Sequence, residues 1–143
     1  MNPTIYIDAE ERRMQFLNVK YFTSDEFDSP DLPGSGVQMD LHFVRMLDLL
    51  RNTCGFPFKI TSGFRTIAHN KAIGGESESA HLDGLAADIA AINPRVRYLI
   101  VSYAIRAGFT RIGIGDTFVH LDLSPKLDQE VIWIYKTGET RSL

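Results

Sequence analysis

The sequence is poor in the features that mark several large protein classes. It has one cysteine, Cys54, in 143 residues. No internal disulfide can form, so the fold requires no oxidising compartment. Cys54 falls where a helix should end and is expected in the core. No apolar run reaches the roughly 18 residues of a spanning helix, so no membrane insertion is expected. The opening stretch MNPTIYIDAEERRMQF carries acids early and has no apolar h-region. No signal peptide is expected, and synthesis in the cytoplasm is. Positive charge is not in surplus, since the net charge is -3. The nearest thing to a basic cluster is Arg95, Arg97 and Arg106, and a solvated helix face accounts for it. Nucleic acid is therefore not expected as a partner. The chain has no internal repeat and no low-complexity segment. Histidine is scarce as well, with four residues: His42, His69, His81 and His120.

What is present fits a folded domain. Hydrophobic residues make up 44% and charged residues 23% of the chain, the balance of a globular protein. A chain of this length suits one domain over 1–143, and a monomer is expected. Residues 4–7 could be a short strand, and 10–13 a polar turn or short helix. Thr23-Ser-Asp-Glu26 has the capping-box arrangement, and 29–37 is a Pro/Gly/Ser-rich connection. The spacing of Phe43, Met46, Leu47, Leu50 and Cys54 predicts a helix over 39–54, ended by Gly55. A strand is expected at 58–61, a short helix at 66–73, a loop at 76–83 and a buried strand at 85–91. Asn93-Pro94 starts a second long helix, with Val96, Leu99, Ile100 and Tyr103 on its buried side and Gly108 at its end. Three strand-like runs follow at 110–114, 117–123 and 131–135, read as a meander. The order predicts an α+β fold: a mainly antiparallel sheet with helices packed on one face.

Two histidines stand out by their neighbours. His81 precedes Asp88 by seven positions, with an Asp83-Gly84 turn between them. Asp88 is flanked by Leu85, Ala86, Ala87, Ile89, Ala90 and Ala91, so its carboxylate should be buried. A buried carboxylate needs a partner. A metal would serve, and so would backbone N–H groups at a strand end. In the later run, period-two alternation puts His120 and Asp122 on one face, where Asp122 could orient His120 toward a metal. Arg65 follows a Ser-Gly turn and could face a substrate or pair with Glu76 or Glu78. Trp133 and Tyr135 alternate with Ile132 and Ile134 and read as packing.

The segments SGFRT (62–66), HN (69–70), GG (74–75), SAHLDGLAADI (79–89) and FVHLD (118–122), in this order, resemble the zinc D-Ala-D-Ala carboxypeptidase and L-alanyl-D-glutamate endopeptidase family of murein peptidases. The similarity is greatest to small phage and prophage members and covers roughly 22–135. Several motifs in sequence are more specific than any one alone. The resemblance implies the Hedgehog/D,D-peptidase fold and a Zn2+ ion held by His81, Asp88 and His120. It implies that Arg65 binds substrate and steadies the developing oxyanion. Ser62 and Ser79 would shape loops near the site, Ser79 would also contact the bound peptide, and Asp122 would support a ligand. Many relatives carry Glu or Asp three residues before the last histidine. Thr117 stands there in this chain, so Asp116 becomes the candidate general base, with Asp122, Glu76 and Glu78 as alternatives. The implied partner is a peptidoglycan stem peptide, reached by phage-type release or by another export route. A competing reading keeps the zinc site but no catalysis: a peptidoglycan-binding module or phage structural component.

Overall fold

The computed structural model of the chain describes residues 9–136. The strand expected at 4–7 lies outside the described residues. The polar segment near 10–13 forms a short helix, α1 (Ala9–Gln15). In the following entry segment the Glu26 carboxylate accepts from the Thr23 N–H at 2.8 Å, as the capping-box spacing predicts.

Helix α2 (Leu41–Cys54) starts two residues later than its apolar spacing suggests, because Asp40 is the cap. Its carboxylate accepts from the Phe43 N–H at 3.0 Å. Gly55, at φ 78°, takes the left-handed conformation that ends the helix. Phe43, Val44, Leu47 and Leu50 are buried, and Met46 and Cys54 pack partly against them. The short helix α3 (Ile67–Ala72) is capped by Thr66. The second long helix, α4 (Pro94–Ala107), has Asn93 accepting from the Val96 N–H at 2.8 Å. It packs against α2 through Ile100 and Ala104.

Five strands form one sheet: β1 (Ile60–Ser62), β2 (Ala86–Ala90), β3 (Arg111–Ile114), β4 (Phe118–Asp122) and β5 (Val131–Ile134), in the order β1-β2-β4-β3-β5. The first four pair antiparallel, and β5 pairs parallel with β3. The fold is α+β with a mainly antiparallel, mixed sheet. The expected meander holds for β3 and β4 but not for β5. Both edges of β4 are taken, by β2 and β3, so the chain after β4 must find another edge. Asp122 at the end of β4 lies opposite Arg111 at the start of β3. Residues 123–130 therefore need only pass one strand to set Val131 beside Arg111.

Alternation along the strands sorts the residues by face. Ala87, Ile89, Ile112, Val119 and Leu121 join the apolar residues of α2 and α4 in one core. Asp88, Arg111, His120 and Asp122 have the opposite parity, and all four are buried. The helix-covered face thus gives stability and leaves the other face for chemistry. Leu47 is fully buried in that core. Leu47→Ala should cost about 2–5 kcal/mol in denaturant unfolding, as a large-to-small core change does, and should leave metal content unchanged.

Candidate metal centre

The strand register assembles the site. Ser62 on β1 lies opposite Asp88 on β2, Asp88 opposite His120 on β4, His120 opposite Gly113 on β3, and Gly113 opposite Trp133 on β5. One row therefore crosses all five strands. Gly113 leaves the space that the aromatic rings occupy: a Cβ there would stand 2.6 Å from the Tyr135 ring and 2.8 Å from the Trp133 ring.

His81 reaches this row from a 3-10 turn, Ala80–Asp83, in a segment expected to be loop. The Ser79 hydroxyl caps that turn by accepting from the His81 N–H at 3.3 Å. The ring is fixed from its other side, where Nδ1 donates to the Gly63 carbonyl at 2.7 Å. Gly63 passes so close to Phe27 that a Cβ would stand 2.7 Å from the Phe27 Cα, so only glycine can present its carbonyl here. With the proton on Nδ1, His81 Nε2 carries a bare lone pair. That atom is buried, makes no hydrogen bond, and lies 3.4 Å from Asp88 Oδ1. Two lone pairs facing each other in a dry interior repel unless a cation stands between them.

His120 completes the set. Its Nδ1 lies 2.8 Å from the same Asp88 Oδ1, and its Nε2 lies 2.6 Å from Asp122 Oδ2. Ligand atoms of His81, Asp88 and His120 all fall within 4.8 Å of one another. Two ligands on one tetrahedral zinc stand about 3.3 Å apart. The 3.4 Å spacing of His81 and Asp88 already matches this. The His120–Asp88 hydrogen bond need only open by roughly 0.5 Å to match it too. Two imidazole nitrogens and one carboxylate oxygen are ligands that zinc accepts, and they leave a fourth position for water or substrate. The residues fit the ion.

Electrostatics without metal point the same way. Burial disfavours a charge on His120, but the hydrogen bonds to Asp122 and Asp88 outweigh it and raise its pKa to about 9. Burial also opposes the charge on Asp88, yet the protonated His120 that donates to it holds its carboxyl well below the usual range. At His81 burial dominates and pushes the imidazole pKa down. A proton on His120 thus serves as the cation that the two carboxylates require.

Asp122 is itself held in place. Its Oδ1 accepts from Arg111 Nε at 2.8 Å and from the Ser124 N–H at 3.0 Å. The Arg111 guanidinium also lies 4.9 Å from the centre of the Trp133 ring, and that ring packs against His120 at 5.3 Å. Asp122→Asn should weaken metal affinity by about 10–100-fold, the usual effect of removing the partner of a ligating histidine. Competition with a chelator measures it, and an unchanged affinity would deny Asp122 that role.

Arg65 is buried beside the set. Its Nε donates to Ser62 Oγ at 3.1 Å and its Nη1 to Asn70 Oδ1 at 3.3 Å, while Nη2 stands 3.7 Å from Asp88 Oδ2. Its ion pair is with Asp88, not with Glu76 or Glu78. Burial lowers its pKa, against the opposing influence of Asp88 and Tyr135. A cleft of about 250 Å³ opens over Arg65 and Asp88, with walls of Thr61, Ser62, His69, Ile73, Thr117 and Phe118. Larger hollows lie beside Tyr21 (about 550 Å³) and Val131 (about 390 Å³), but no cluster of metal-ligand side chains lines either among the described residues.

Two residues singled out in the sequence lie off this cleft. Asp116 is exposed on the turn between β3 and β4, and its carbonyl accepts from Arg97 Nη2 at 2.9 Å. Ser79 is buried as the cap of the His81 turn. Neither forms part of the cleft wall. Conversely, His69 stands on the wall, although its place in the HN pair (69–70) assigns it no role. Trp133 and Tyr135 line the centre through His120 and Phe118, with Tyr135 and Phe118 rings 5.0 Å apart. Their place depends on the parallel docking of β5, which alternation alone does not reveal.

The two histidines and one carboxylate, buried on the open face of a mixed sheet with an arginine in the adjoining cleft, form a candidate metal centre in an α+β fold. The chain belongs to the Peptidase M15 family, whose profile matches residues 20–122. Comparison with curated proteins gives no match. M15 peptidases are zinc-dependent metallopeptidases, and His81, Asp88 and His120 are positioned to bind that ion. Among the described residues no helix is long and apolar enough to cross a membrane.

Proposed function

We propose that this protein is a zinc peptidase that hydrolyses a peptide bond in the stem peptides of bacterial peptidoglycan. The observation that carries the reading is the bare His81 Nε2 facing Asp88, with Arg65 against the same carboxylate. Bound zinc supplies a Lewis acid and lowers the pKa of water at the open position. The residues of the chain do the rest. Hydrolysis builds negative charge on the scissile carbonyl oxygen, and Arg65, fixed by Ser62 and Asn70, supplies donors that need no reorganisation. Burial makes those donors count for more than they would in water. Asp122 holds His120 in the tautomer that leaves Nδ1 for the metal. All these groups come from one chain, so a monomer suffices. The protein would reach the wall by phage-type release or by another export route.

Thr117 on the cleft wall, in place of the acid carried by many relatives, favours a second reading: a module that grips peptidoglycan without cutting it. Incubation of the zinc-loaded protein with a panel of defined stem peptides, followed by mass spectrometry, separates the two. The proposal expects two product masses from one bond, and those masses distinguish removal of a terminal D-Ala from internal cleavage. Intact peptides that remain bound to the protein would favour the module.

A further inference from the structure

We propose that His69 is the proton-transfer residue of this site, taking a proton from the attacking water and returning it to the departing amine. The proposal rests on the hydrolytic reading above and supplies the base that Thr117 cannot. Among the side chains around the cleft, Asp88 belongs to the metal set and Arg65 stays charged. The remaining walls, apart from His69, are hydroxyl or apolar side chains. Histidine is the side chain suited to exchange a proton near neutral pH.

The other candidates are engaged or outside. Asp122 is buried with its oxygens taken by His120, Arg111 and Ser124. Asp116 sits on the exposed turn, and Glu76 and Glu78 are exposed off the cleft wall.

Helix α3 carries His69 to the cleft wall. The Thr66 hydroxyl accepts from the His69 N–H at 3.0 Å, which anchors the first turn. The next residue, Asn70, is buried and holds Arg65 Nη1. Ile73, four residues after His69 and so on the same side, also lines the cleft. One face of α3 thus brings His69 to the cleft while its neighbour fixes Arg65. Arg65 and Asp88 share the cleft wall with His69, Asp31 feels its charge, and Lys71 lies on its own helix. Asp31 is held below the usual carboxylate range by hydrogen bonds from Ser29 and Thr66, and in smaller part by His69. His69 is half-buried, so it can re-equilibrate its proton with solvent between turnovers.

The chemistry balances. As the water oxygen bonds to the carbonyl carbon, a water proton passes to the neutral His69 ring, and the C=O π pair moves to the oxygen facing Arg65. When that pair re-forms the double bond, the C–N bond breaks and the imidazolium proton goes to the leaving nitrogen. One water is consumed, a carboxyl and an amine appear, and the imidazole is restored.

The test uses zinc-loaded His69→Ala, His69→Gln and Asp116→Asn in single-turnover assays on a stem peptide that the parent cleaves. Both His69 variants should lose about 100-fold or more in rate with zinc content and substrate affinity unchanged. They should also lose the part of the pH profile in which activity rises with pH. Added imidazole should restore part of the His69→Ala rate. Asp116→Asn should lose less rate than either His69 variant. A His69→Gln rate equal to the parent, or a 100-fold loss in Asp116→Asn alone, would overturn the His69 assignment and leave the peptidase reading standing. A parent that cleaves no stem peptide overturns both.

Discussion

His120→Ala should abolish tight zinc binding and turnover together. His120 touches both Asp88 and Asp122, at 2.8 and 2.6 Å. Without it the metal keeps only His81 and Asp88. Two ligands do not make a catalytic zinc site, which takes three from the protein. The sequence alone predicts only a modest loss of fold, because the helices and sheet supply the core. The structure changes that expectation. Metal-free His120 carries the proton between two buried carboxylates, and breaking such a cluster typically costs about 3–5 kcal/mol. The variant should therefore melt lower even without zinc, by an amount comparable to Leu47→Ala. The discriminating reading is the response to metal. Zinc at about 1,000 times its dissociation constant should stabilise the parent by about 4 kcal/mol and the variant not at all.

The same cluster sets a pH dependence. In the metal-free parent the His120 pKa stands at about 9 against an ordinary value of 6.5. A raised folded-state pKa contributes stability that is full below the unfolded value and lost as pH rises through the folded one. Metal-free protein should lose stability between about pH 6.5 and 9. Zinc-loaded protein should not lose it there, since the ion replaces the proton. Melting curves across that range, with and without zinc, check the sign.

Arg65→Ala should slow turnover by roughly 100-fold or more, as loss of an oxyanion-stabilising donor does, while zinc content stays near that of the parent. Arg65 lies 3.7 Å from Asp88 Oδ2, an ion-pair distance from a proposed ligand, but it contributes no ligand atom itself. The truncation also leaves Ser62 Oγ and Asn70 Oδ1 without their donor, so water should enter the cleft. Arg65→Lys separates charge from geometry. A lysine keeps the charge but not the fork that spans Ser62, Asn70 and Asp88, so it should recover only part of the rate. Full recovery would reduce Arg65 to a neutralising charge, and loss of zinc from Arg65→Ala would make it a support of the metal set.

Much of the centre is legible in the chain because its signals are local. Asp88 announces itself as an acid within an apolar strand. His120 and Asp122 share a face by simple alternation. Asp40, Asn93, Gly55 and Gly108 mark helix ends through caps that each involve only a few neighbouring residues. What is not legible depends on long-range register. Arg111 meets Asp122 only because β3 and β4 pair with those residues opposite. Trp133 meets His120 only because β5 returns to the far edge of β3, parallel, after both edges of β4 are filled. His69 is visible in the sequence only as part of the HN pair, and its place beside Arg65 and the cleft appears only in the fold. Asp116 lies near the sequence position of the relatives' acid and is exposed on the turn between β3 and β4.

One zinc ion at His81, Asp88 and His120 should make this chain a peptidase. The most direct test removes the metal with a chelator, returns zinc in steps, and follows cleavage of a defined stem peptide by mass spectrometry. Cleavage should be absent without metal, rise in proportion to added zinc, and level off at about one zinc per chain. A folded protein that takes up one zinc yet leaves every stem peptide intact, or that cleaves as fast without metal, would contradict it.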